Sequence, residues 1–120
     1  SNEAKHELLG VPNTLLQKYG AVSAEVATAM ARGIRRVSHA HIGLSVTGIA
    51  GPDGGTDRKP VGLVYVGLDT GASPSARRAK REETLTREFR FHGDRQTIKL
   101  RASQAALDLL RQWLMKQGRL

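Results

Sequence analysis

The chain has no cysteine, which excludes a disulfide framework and a thiolate metal site. Aromatic residues are scarce, with two Phe, two Tyr and one Trp. The core must therefore come from Leu, Val, Ile and Ala, and a hydrophobic fraction of 39% is enough for one. No window approaches the roughly 18 to 20 apolar residues of a membrane span. The opening residues Ser1-Asn2-Glu3-Ala4-Lys5 carry no apolar signal region. For 120 residues the expectation is one domain, or a piece of one, soluble and cytoplasmic.

Acidic residues are also few, 11 against 19 Lys and Arg, which leaves a formal charge of +8. Nine basic and four acidic residues fall between Arg77 and Arg101. Nucleic-acid binding is one reading of such a segment. No aromatic residue interleaves Arg77 to Arg87 to stack on bases, so a solvated basic loop is preferred and nucleic acid is the disfavoured partner. A basic binding or regulatory module remains the alternative function.

Spacing and capping residues predict the elements. Asn2 to Leu9 reads as a short helix stopped by Gly10 and Pro12, and Pro12 to Tyr19 as a second with Gly20 as its C-cap. Leu8, Leu9, Leu15 and Leu16 are expected on their buried sides. Ser23 is a good N-cap, and Val26, Ala27, Met30, Ala31 and Ile34 recur at helical spacing behind it. Arg32, Arg35 and Arg36 fall largely on the opposite side. Ile42 to Val46 and Val61 to Leu68 read as strands buried on both faces, in a sheet covered by helices. Thr86 to Phe91 reads as a third strand near an edge, and Asp69 to Ala79 as an exposed hairpin loop. Asp94 is expected to cap a last helix whose buried stripe is Ile98, Ala102, Ala105, Ala106, Leu109, Leu110 and Trp113. Three strands need further partners to form a covered sheet.

Between the first two strands lies Ser45-Val46-Thr47-Gly48-Ile49-Ala50-Gly51-Pro52-Asp53-Gly54-Gly55. A loop with so little side-chain bulk lets a ligand approach backbone N–H groups, so it reads as a cradle for an anionic group, helped by the Thr47 hydroxyl. The bland alternative is a plain turn. It lacks the Gly-Lys-Ser/Thr ending of a P-loop, and no helix follows it as a dinucleotide fingerprint requires. Arg95 sits in the first turn of the last helix, where a cation opposes the helix dipole, and it too could serve an anion. Lys5 by itself reads as a surface lysine. His6, His39, His41 and His92 have no metal-ligand spacing. No serine sits in a Gly-x-Ser-x-Gly elbow, and no carboxylate pair suggests glycosidase chemistry.

At these residues the chain resembles the CinA C-terminal domain family, the competence/damage-inducible family whose members act as nicotinamide-nucleotide amidases. The matching motifs, in order, are Ser1 to Lys5 with Leu9-Gly10-Val11, Gly20 to Ser23, Ser45 to Gly55, Lys59-Pro60-Val61-Gly62, and Gly93-Asp94-Arg95. The resemblance covers nearly the whole chain. Asp69 to Glu83 looks longer than usual for the family.

The resemblance implies a three-layer α/β/α domain with a mixed sheet. It implies hydrolysis of the carboxamide of nicotinamide mononucleotide to nicotinate mononucleotide and ammonia, a recycling step for pyridine nucleotides in the cytoplasm. No metal or other cofactor is implied, and a homo-oligomer is, because family members commonly form dimers. The family's general-base lysine falls on Lys5. Substrate-binding positions fall on Thr47, Gly48, Ala50 and Gly51 of the loop and on Arg95. The family's serine nucleophile belongs to a Glu-Ser-x-Thr-Gly-Gly motif, which this sequence lacks, and a tyrosine just before the serine equivalent to Ser1 is also missing. The resemblance thus makes residues 1–120 a single CinA C-terminal-like domain without its N-terminal third, inactive alone. A structural remnant stabilised by a partner chain is a third possibility.

Overall fold

A computed structural model describes residues 1–71 and 84–117. The elements run α1 (Asn2–Leu9), α2 (Asn13–Tyr19), α3 (Ala24–Ser38), β1 (Gly43–Gly48), β2 (Leu63–Asp69), β3 (Thr84–Arg90) and α4 (Arg95–Lys116). Each expected element is present: α1 has the expected bounds, and the strand ends are shifted by one or two residues.

The helices begin and end where their caps stand. Gly10, in the left-handed region at φ 69°, closes α1 by donating its N–H to the Lys5 and His6 carbonyls. The Ser23 hydroxyl accepts from the Val26 N–H at 3.2 Å and starts α3. The Asp94 carboxylate accepts from the Thr97 N–H at 2.8 Å and starts α4. That backbone hydrogen bond holds the Asp94 carboxyl below its ordinary value. A carboxyl depressed in the folded state stabilises above its unfolded pKa of about 4 and loses that contribution as the pH falls. The stability difference between the native protein and Asp94→Ala should therefore shrink in urea titrations as the pH drops from 7 to 3. A difference independent of pH would refute this.

The strands form one sheet in the order β1-β2-β3, and every described neighbour is antiparallel. The parallel pair that a mixed sheet requires is not among the described strands. Side chains alternate across β2, so its two faces belong to different helices. Val64, Val66 and Leu68 pack with Ile98, Ala102, Ala106 and Leu109 of α4. Burying each of the larger ones contributes roughly 1.5–3 kcal/mol. On the other face lies α3, brought close by small residues: a Cβ at Gly43 would stand 2.1 Å from the Ala31 carbonyl oxygen, and one at Gly67 2.5 Å from that of Ala27. Helix, sheet and helix make the three-layer α/β/α arrangement. Outside α3, helices α1 and α2 gather a second core on Val11, Leu16 and Val26.

Four sequence expectations are corrected. Leu8 is 66% exposed, because α1 rests on α3 through Leu9, against which Gly33 packs. Ile34 lies at the outer margin of the α3 stripe and is exposed. Arg35 does not turn to solvent with Arg32 and Arg36. Its Nε reaches the sheet and pairs with Asp69 Oδ2 at 2.5 Å. Asp69 accordingly ends β2 as a fully buried residue rather than opening an exposed loop. The rest of that expected hairpin, and the basic residues Arg77 to Arg81, lie outside the described residues. The stripe on α4 is as expected, with Ala105, Leu110 and Trp113 partly buried at its margins.

Candidate active site at the glycine-rich loop

One end of the sheet collects most of the nominated residues. There β1 ends at Gly48, opposite Val64, and β2 begins at Leu63, opposite Arg90 at the end of β3. The loop between β1 and β2 is pinned at its base, where the Ile49 N–H donates to the Leu63 carbonyl at 3.0 Å and the Gly62 N–H to the Ile49 carbonyl at 2.7 Å. Within it, Gly51 has φ 80° and is joined to Pro52 by a cis peptide bond. Its left-handed φ suits glycine, and a Cβ there would meet Val61 Cγ1 at 2.6 Å.

Arg95 meets this loop. Its Nη1 donates to the Gly51 carbonyl at 2.9 Å, joining two motifs 44 positions apart. The side chain that opposes the α4 dipole is therefore held at the loop, where the N-terminus of α4 also lies. Both features favour an anion. Gly48 and Ala50 line a cavity of about 210 Å³ on the α4 face, together with Val46, Ile98 and Ser103. Thr47 lies on the opposite face of β1, buried against the start of α3, and its hydroxyl donates to the Ala21 carbonyl at 2.8 Å. The oxygen lone pairs remain able to accept from a ligand.

Lys5 stands on α1, half-buried, and its ammonium makes no hydrogen bond or ion pair with the described residues. No hydrogen bond links it to Thr47, Gly51 or Arg95. The tertiary structure thus assembles the loop and Arg95 as one unit and presents Lys5 from a separate helix. All five described serines are engaged with backbone. Ser1 and Ser23 cap helices, and Ser38, Ser45 and Ser103 donate to the Ile34, Ala27 and Lys99 carbonyls. His6 Nδ1 hydrogen-bonds the Val11 carbonyl oxygen at 2.8 Å, a structural role. Among the described residues no group of three His, Asp or Glu could hold a metal ion.

Two contacts are not visible in the sequence. Beside Thr47 in the sheet register, Tyr65 donates to Glu88 Oε1 at 2.8 Å. Burial, then that bond, pushes the Tyr65 hydroxyl up, while the same bond draws the Glu88 carboxyl down. Lys59 reaches across to the Tyr19 carbonyl oxygen. Its place in a Lys-Pro-Val-Gly motif was a signal, but spacing does not reveal which carbonyl a lysine reaches.

The architecture defines a three-layer α/β/α domain in which the glycine-rich loop and Arg95 are joined as one hydrogen-bonded unit. The CinA C-terminal domain model matches residues 1–114, and the chain belongs to that family. It is 51% identical over 115 residues to a CinA-like protein of Geotalea daltonii, a match covering 96% of this chain and 25% of that protein. It is 50% identical over 116 residues to a putative competence-damage inducible protein of Acetivibrio thermocellus, covering 97% of this chain and 26% of that one. The chain thus spans about a quarter of the length of these relatives. Among solved structures, the competence damage-inducible protein A of Klebsiella pneumoniae superposes with a TM-score of 0.83 at 33% identity, covering 96% of this chain and 65% of that one. No described helix is long and apolar enough to cross a membrane.

Proposed function

We propose that this chain supplies the substrate loop and the proton-accepting lysine of an amidase acting on nicotinamide mononucleotide. The observation that carries the reading is the 2.9 Å bond between Arg95 and Gly51, which unites two family motifs in one anion-suited unit. The substrate's phosphate suits that loop and arginine. In the proposed reaction a serine hydroxyl of the parent protein, outside these 120 residues, attacks the carboxamide carbon. Lys5, entering the step as the neutral amine, takes the hydroxyl proton and delivers it to the departing ammonia, and water then releases nicotinate mononucleotide from the acyl-enzyme and restores the serine hydroxyl. Backbone N–H groups aimed at the tetrahedral oxyanion lower the barrier.

Because the serine nucleophile of this proposal belongs to a Glu-Ser-x-Thr-Gly-Gly motif that this sequence lacks, this chain alone should release no ammonia from nicotinamide mononucleotide, while the full-length parent should release it together with nicotinate mononucleotide. Clear turnover by the isolated chain would refute the division of labour. A parent that leaves the substrate untouched would refute the amidase reading.

A further inference from the structure

Three consecutive carbonyls, from the last residue of α2 into the α2–α3 connection, each accept a side-chain hydrogen bond. Lys59 Nζ donates to the Tyr19 oxygen, Ser23 Oγ to that of Gly20 at 2.8 Å, and Thr47 Oγ1 to that of Ala21 at 2.8 Å. Irregular backbone needs such outside donors. Gly20 gives the connection its shape at φ 77°, and a Cβ there would stand 3.0 Å from the Lys59 ammonium.

Two of these donors come from opposite ends of the glycine-rich loop. Thr47 precedes it and Lys59 lies near its return. The turn at Lys59 is itself closed, because the Thr56 N–H donates to the Lys59 carbonyl at 2.8 Å and the Lys59 N–H to Thr56 Oγ1 at 3.0 Å. Those bonds are internal to the loop. Among the described residues, the hydrogen-bonded ties from the loop and its flanking Thr47 to the helical layers are Thr47 to Ala21, Lys59 to Tyr19 and Arg95 to Gly51. Lys59 is half-buried and has no carboxylate partner among the described residues. Its cation is held by the Tyr19 carbonyl, and a hydrogen bond from a charged donor is roughly twice as strong as a neutral one.

We propose that Lys59 is a positioning residue for the mononucleotide site. Its ammonium locks the return of the loop onto the Tyr19 carbonyl, so that Thr47 and the Gly48 to Gly51 backbone are in place before substrate arrives. This rests on the amidase reading given above. A loop ordered in advance loses less entropy on binding. Lys59 does not touch the reacting atoms, so its removal should weaken substrate binding and leave the chemical step intact.

The test compares Lys59→Met, which keeps the alkyl stem and removes the donors, with Lys59→Arg, which keeps the charge and donors, in the full-length parent. Lys59→Met should raise KM for nicotinamide mononucleotide about tenfold or more with kcat within about threefold, and Lys59→Arg should restore most of the loss. Hydrogen exchange of the loop amides in the ligand-free protein should speed up in Lys59→Met and recover in Lys59→Arg. An unchanged KM would overturn the proposal. A raised KM with unchanged exchange would also overturn it, by making Lys59 a direct substrate ligand. If the parent hydrolyses no mononucleotide, the amidase reading fails, and the exchange rates still decide whether Lys59 holds the loop.

Discussion

Replacing Lys5 by alanine in the full-length parent is expected to lower turnover of nicotinamide mononucleotide by about 100- to 10,000-fold, the usual contribution of a positioned general base. The structure makes this a clean substitution. The bonds that build α1 come from backbone and from Ser1, whose hydroxyl accepts from the Ala4 N–H at 3.2 Å. The Lys5 carbonyl also accepts from the Val11 N–H at 3.1 Å, a bond that survives loss of the side chain. The Lys5 ammonium itself makes no hydrogen bond or ion pair with the described residues, so its removal should leave the fold and its circular dichroism unchanged. Lys5→Arg should be equally inactive, because a guanidinium does not give up its proton. Ammonia release at near-native rate in Lys5→Ala would exclude the lysine as base.

Arg35→Met should destabilise the domain by about 3–5 kcal/mol, the cost of leaving one member of a buried ion pair without its partner. The Asp69 side chain is 0% exposed and that of Arg35 only 17%. After the substitution Thr84 Oγ1, which donates to Asp69 Oδ1 at 3.0 Å, would still serve one carboxylate oxygen. It cannot supply the charge. Against a typical domain stability of 5–15 kcal/mol the loss is large, and urea unfolding would measure it. The double variant Arg35→Met with Asp69→Leu should recover much of the loss, since apolar groups can replace both members of such a pair. A loss under about 1 kcal/mol for Arg35→Met would show that the pair lacks the value of a buried one.

Most of the local structure was legible from residue order. Ser23 and Asp94 cap helices, Gly10 and Gly20 end them, and the Ile98 to Leu109 stripe faces the sheet. These features depend on neighbours within a turn, which a linear reading sees. Arg35 and Asp69 were misread for the opposite reason. An arginine on the polar side of a helix and an aspartate before a Gly-rich stretch both look solvated until the fold pairs them across 34 positions. Leu8 looked buried because it is a leucine beside Leu9 on a short helix, but α1 rests on α3 through Leu9 and leaves Leu8 exposed.

The candidate site divides in the same way. Composition and motif order alone determined that the loop from Thr47 to Gly55 carries little side-chain bulk, that Arg95 opposes the dipole of its own helix, and which family the chain resembles. Only the tertiary structure decided that Arg95 reaches Gly51, that Thr47 and Lys59 fasten both ends of the loop to the α2–α3 connection, and that every described serine is engaged with backbone. The physical reason is that cap and turn preferences act between near neighbours in the chain. Which carbonyl a long side chain reaches depends on how separate layers pack, and that is settled only when the sheet and its helices close on one core.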